Sequence, residues 1–179
     1  MPFTVNGELV EDSTVRAEMR ALRPRYEAMA RGLDRAQAEA QLQDWSRENI
    51  IERVLLRQHA VSDPEPISQE AIEEALRSVE PGDEEQLRKE IEIRLRIERV
   101  LARVAGKVSP PRHKDVTEYY RKNKEQFRTA EGIGAFEQVR ETIEKGLHER
   151  KKQRAVENFL DHLKAIAVIE ETPAHGTAP

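Results

Sequence analysis

Near its start the chain reads Phe3-Thr4-Val5-Asn6-Gly7-Glu8-Leu9-Val10. Asn-Gly is the strongest two-residue turn signal, because both central positions of a type I′ turn need positive φ. Two strands of about three residues do not stand alone in water. They need a third strand or a helix to lie on. The only other strand-like stretch is Ala165-Ile166-Ala167-Val168-Ile169-Glu170, at the far end of a 179-residue chain. Pairing the two would close the fold on itself.

Between these ends the chain reads as helix. Glu, Arg, Leu, Ala, Lys and Gln dominate, and these are the strong helix formers. Asp12-Ser13-Thr14 are N-cap candidates for a first helix, on which Met19, Leu22, Tyr26 and Met29 recur at i, i+3, i+7 and i+10. Pro24 lies inside this run and predicts a kink or a break. Gly32 stops it. Asp34 can cap a second helix to about Ala60, with Leu42, Trp45, Ile51, Val54 and Leu55 on its apolar face and the single Trp in the core. After the linker Ser62-Asp63-Pro64-Glu65-Pro66, Ser68 opens a short third helix carrying Ile72, Leu76 and Val79. A fourth helix runs from about Glu84 to Val104, with Gly106 ending it. A fifth covers about His113 to Gln126, with Val116, Tyr119, Tyr120 and Phe127 as its apolar contacts. Arg128 to Gly134 interrupts the pattern, and a last helix runs from about Ala135 to Ala165, ~45 Å at ~1.5 Å per residue. The expected class is mainly α, with a small β-sheet pairing the N-terminal hairpin and a C-terminal strand. The tail, 172–179, reads as disordered.

Composition narrows the chemistry. Charged residues are 36% and hydrophobic ones 37%, with aromatics at 4%, so apolar surface is spread thinly over long amphipathic elements. No run of about 18 apolar residues predicts a membrane span. A net charge of −4 argues against a dedicated nucleic-acid binder. The absence of cysteine excludes disulfides, thiolate zinc sites and Cys nucleophiles. Gly132-Ile133-Gly134 lacks the strand, the third Gly and the Lys-Ser/Thr pair of a phosphate loop. The five histidines, at 59, 113, 148, 162 and 175, show no metal-ligand spacing; no metal and no cofactor is expected, and His148 and His162 read as exposed. Two basic runs, Arg121-Lys122-Asn123-Lys124 and Arg150-Lys151-Lys152-Gln153-Arg154, are flanked by acids and read as solvated helix surface rather than as a site for nucleic acid or anionic lipid.

The Met19/Leu22/Tyr26/Met29 stripe has two readings. It can pack against the fourth helix, or it can line a partly exposed groove, where flexible, polarizable Met side chains adapt to varied apolar segments.

Three segments carry a family resemblance. Val5-Asn6-Gly7-Glu8 followed by Val10-Glu11-Asp12-Ser13 resembles the opening of SurA- and PrsA-like parvulin chaperones. Val108-Ser109-Pro110, then Asp115-Val116-Thr117-Glu118-Tyr119-Tyr120 through Asn123 to Phe127-Arg128, is similar to the helix that in this family leads into the prolyl isomerase domain. Phe136-Glu137-Gln138-Val139-Arg140 through Leu147, Lys151 and Ala155 to Phe159–Ala165 resembles the helix that returns from it. The isomerase itself has no counterpart: the chain passes through Gly132-Ile133-Gly134 to Phe136, and the parvulin histidines and their Cys/Asp partner are missing.

The resemblance implies a SurA N-terminal-like module with interleaved chain ends: 1–131 as chaperone helices and hairpin, 132–134 as a short joint where the isomerase would sit, and 135–171 completing the same domain. It implies an ATP-independent chaperone that holds unfolded or extended polypeptide in an apolar cradle. Met19, Leu22, Tyr26, Met29, Tyr119 and Tyr120 are then the candidate client-binding residues. No isomerase activity is expected of these residues, although a full-length parent would be a peptidyl-prolyl isomerase. The alternative is a dimerisation or assembly domain of such an enzyme, without clients of its own; a homodimer through exchanged segments fits either reading. No basic n-region or apolar h-region of a signal peptide is visible. Two expectations stay open, a protein that remains in the cytoplasm and one whose sequence starts after a removed signal; the bacterial family it resembles is mostly extracytoplasmic.

Overall fold

The computed structural model describes residues 1–29, 32, 34–80, 82–129 and 132–172, with the backbone alone at position 29. These residues are mainly helical. The elements are β1 (Phe3–Val5), β2 (Glu8–Val10), α1 (Asp12–Met29), α2 (Arg35–Val61), α3 (Gln69–Leu76), α4 (Glu84–Gly106), α5 (His113–Lys122), a 3-10 turn (Lys124–Phe127), β3 (Arg128–Thr129), β4 (Gly132–Ile133), α6 (Phe136–Ile166) and β5 (Ile169–Glu171). They divide into two compact units, one of Met1–Ile97 with the described residues from Leu160 onward, the other of Glu98–Phe159.

The first unit contains the sheet that joins the chain ends. Its strand order is β2-β1-β5, antiparallel throughout. Val10, Phe3 and Glu171 form one cross-strand row; Leu9, Thr4 and Glu170 the next; Glu8, Val5 and Ile169 the third. Asn6 at φ 51° and Gly7 at φ 81° supply the two left-handed positions of the turn. Asn6 does more than turn the chain. Its backbone N–H donates to Val168 O at 2.8 Å, its Oδ1 accepts from Val168 N at 2.9 Å, and its Nδ2 donates to Gln58 Oε1 at 2.9 Å. One side chain thus ties hairpin, last strand and α2 together. Beyond β5, Thr172 N donates to Pro2 O at 3.1 Å; the rest of the tail expected to be disordered, 173–179, lies outside the described residues.

Period-2 alternation turns Phe3, Val5 and Val10 inward, and all three are buried. Two arginines of α2 clamp the inner corners. Arg57 pairs with Glu8 on β2; Arg47 pairs with Glu171 on β5 at 2.5 Å, its guanidinium 4.3 Å from the Phe3 ring centroid. Ten residues apart, they span ~15 Å of helix at ~1.5 Å per residue. Leu42, Ile50, Ile51, Val54, Leu55 and Ala60 bury the remaining face of α2, together with Ser46, whose hydroxyl donates to Leu42 O. Asp34 caps α2 by accepting from Gln37 N at 2.9 Å, and Ser68 caps α3 through Ala71 N at 3.2 Å. At the end of α6, Leu163 is buried, and Lys164 reaches Glu48 at 2.6 Å and Glu52 at 3.0 Å on α2. Those carboxylates, Glu48 foremost, with Asp161 hold its ammonium above the ordinary lysine range.

In the second unit α5 begins at Arg112, whose backbone N–H donates to the Asp115 carboxylate at 3.1 Å. The segment 128–134, read from sequence as an interruption of the helical pattern with a joint at 132–134, contains a small hairpin: Arg128 pairs with Ile133 and Thr129 with Gly132, which adopts φ 124°. Gly134 N donates back to Phe127 O at 2.9 Å. The fifth helix is shorter than expected, because its last turn tightens into the 3-10 segment after Asn123.

Candidate functional site

The candidate client-binding residues fall in both units, Met19, Leu22 and Tyr26 on α1 in the first and Tyr119 and Tyr120 on α5 in the second. The side chain of Met29 lies outside the described residues.

α1 packs against α2, which Tyr26 of the stripe meets through Trp45 and Gln41. Arg53 pairs with Glu18 at 2.7 Å, Arg23 binds both oxygens of Glu39 at 2.7 and 2.8 Å, and Tyr26 OH donates to Gln41 Oε1 at 2.9 Å. The early position of α1 pairs with the later half of α2 and the later positions of α1 with its first half, so the two helices form an antiparallel hairpin. The Arg23 hydrogen bonds lower the pKa of Glu39 below the ordinary glutamate value. α1 runs unbroken through Pro24, which is exposed, so water can serve the carbonyl four residues back. Trp45 is half-buried rather than a core residue: it meets the Tyr26 ring at 6.1 Å and the Arg25 guanidinium at 5.9 Å. Met19, Leu22 and Tyr26 are also half-buried. The result is a strip of apolar surface between α1 and α2, edged by arginines and glutamates.

On α5, Tyr120 lies between Phe127 and Phe136, with centroids at 5.7 and 5.4 Å, and its hydroxyl donates to Gly134 O at 2.8 Å. Tyr119 OH donates to Gln126 Oε1 and accepts from Arg150, both at 3.0 Å, while the Arg150 guanidinium stands 4.9 Å from the Tyr119 centroid. Both hydroxyls are therefore engaged inside the unit. The aromatic cluster fastens the 3-10 turn and the β3–β4 hairpin to the first turns of α6. The second basic run is partly absorbed here: Arg150 covers Tyr119, Lys151 donates to Ser109 O at 3.3 Å, and Lys152 pairs with Glu149 at 2.8 Å. His148, expected at the surface, is half-buried with its Nε2 3.1 Å from Val108 O; His162 is exposed.

Sequence reasoning missed an open surface pocket of about 480 Å³ between α3 and the start of α4, lined by Leu76, Val79 and Leu87 together with Glu73, Glu84 and Arg88. The apolar periodicity of both helices held the signal, but not the side chains it would bring together. Among the described residues, no three His, Cys, Asp or Glu side chains converge as a metal-ligating group, and no helix is long and apolar enough to cross a membrane. Comparison with protein families, with curated proteins and with solved structures finds no match for this chain.

Proposed function

We propose that this chain is an ATP-independent chaperone module of SurA/PrsA-like type that holds unfolded or extended polypeptide, without the isomerase domain of the family it resembles. The observation that carries the reading is the closure of the chain: strands at residues 3–5 and 169–171 pair in one sheet, the interleaving of ends that the resemblance implies. The half-buried strip of Met19, Leu22 and Tyr26 beside Trp45 supports it, because a holding protein needs accessible apolar area for weak, adaptable contacts. A surface rich in charge keeps such a protein soluble while loaded. Binding the non-native state of a client retards its aggregation without ATP.

The test is light scattering of a reduced or heat-denatured client with the purified chain at stoichiometric ratio. Suppression is the expected result, and unaltered aggregation refutes the reading. In a proline-peptide assay the same preparation is expected to leave the isomerisation rate, set by a barrier of ~20 kcal/mol, unchanged.

A further inference from the structure

We infer that the free edge of β5 is a strand-addition site for extended polypeptide carrying alternating apolar and basic residues. The inference rests on the holding function proposed above and assigns it a second contact surface.

The sheet order β2-β1-β5 leaves β5 at an edge, and among the described residues no strand pairs with its other side. Which groups face outward follows from the bonds it makes inward. Val168 O accepts from Asn6 N, and Thr172 N donates to Pro2 O, so positions 168, 170 and 172 face β1. Alternation then turns the backbone N–H and C=O of Ile169 and Glu171 outward. Unpaired ladder groups of this kind are a template for another strand.

The side chains define the occupant. Ile169, 38% exposed, lies on the face of Val5, whereas Val168, 57% exposed, shares the opposite face with Glu170. Leu9, 51% exposed, belongs to the outward row with Thr4 and Glu170. Glu170 has no ion pair among the described residues, and Glu171 is shared with Arg47. An added strand with apolar and basic residues in alternation sets its apolar members beside Ile169 on the face of Val5, and its cations beside Glu170 on the opposite face. A second copy of this chain fits poorly, because edge-to-edge pairing crowds the Glu170-Glu171 pair of one copy against that of the other. Because the ladder bonds are main-chain, the edge reads extension and charge more than sequence, which suits a protein facing many clients.

The experiment uses the full chain and a fluorescent peptide of about seven residues alternating valine and lysine. A valine/glutamate peptide and a valine/lysine peptide N-methylated at alternate residues serve as comparisons. We expect the basic peptide to bind at least tenfold more tightly than either, and to slow amide exchange at Ile169 and Glu171 at least tenfold. Ile169→Pro removes an outward donor and leaves the β1 ladder intact; tenfold loss of binding is expected. Glu170→Lys, at an exposed position, is expected to reverse the charge preference, and it keeps the test open if the proline variant fails to fold. Unprotected edge amides, or affinity unchanged in both variants, overturn the assignment. So does protection of the same amides by self-association without peptide, or a gain in affinity on truncation after Thr172, which would make a second copy or the chain's own tail the occupant. Aggregation suppression that survives both variants would remove the edge and leave the holding function standing. Edge binding without any suppression would do the reverse.

Discussion

Phe3 offers the sharpest test of how the chain ends hold the first unit together. It is fully buried on the central strand and lies under the Arg47 guanidinium. Phe→Ala at such a site costs about 3–5 kcal/mol, the transfer term plus the cavity left behind, and losing the cation–π contact adds ~0.5–1 kcal/mol. Leu9 pairs with Thr4 on the same sheet but is half exposed, so Leu9→Ala is expected to cost under ~0.5 kcal/mol. Trp45 is the only tryptophan and lies on α2, so its fluorescence reports this unit alone. With a urea slope of ~1.5 kcal/mol/M, a 3 kcal/mol loss lowers the midpoint by about 2 M. Against a total of roughly 5–15 kcal/mol, Phe3→Ala leaves the unit close to unfolding. A difference under ~1 kcal/mol between the two variants would mean that the sheet does not bear this stability, and the reasoning would fail.

Other expectations follow from the same contacts. Asn6→Ala loses the left-handed preference and the bonds to Val168 and Gln58, for ~2 kcal/mol by the Trp45 assay, whereas Asn6→Gly keeps the turn and loses ~1 kcal/mol. Tyr120→Phe removes the bond to Gly134 O and should cost ~1 kcal/mol, read as faster amide exchange at Gly134. The hydrogen bond from Arg47 holds the Glu171 carboxyl below the ordinary glutamate value, so its contribution is complete above the unfolded value of ~4.3 and is lost as pH falls through the lowered folded one. Lys164 runs the other way: its raised folded pKa gives stability that is complete below the unfolded lysine value of ~10.4 and lost as pH rises through the folded one. Urea midpoints across pH check both, and Arg47→Met should flatten the acid limb.

The hairpin was legible because Asn-Gly needs positive φ at both positions, and the terminal pairing followed because no other stretch could supply a third strand. Helix starts at Asp34 and Ser68 were legible for a local reason, since a cap bonds within its own turn. What escaped was set by contacts distant in sequence. Nothing in Met19, Leu22 and Tyr26 says which helix α1 packs on; the pairings that join it to α2, Glu18–Arg53 and Arg23–Glu39, are two of the many that a chain this rich in charge offers. Trp45 looked like core because large aromatics usually are, yet a helical hairpin has an open side. The β3–β4 hairpin has two-residue strands, below the length at which alternation can register. The candidate residues on α5 were visible as aromatics, but the engagement of their hydroxyls was not.

The β1–β5 ladder also sets an order of events. Its partners stand more than 160 positions apart, as the Asn6–Val168 bond shows. Contacts that distant are formed late, because the intervening chain must be confined before they return anything. On the ribosome, where the N-terminus emerges first, the opening hairpin waits for its third strand until residues 169–171 have been synthesised. Until then Phe3 and Val5 have α2 for cover and an unfilled flank beside them. A ribosome stalled before residue 169 would therefore display an incomplete sheet, and protease sensitivity at the hairpin should fall abruptly once the last strand is released.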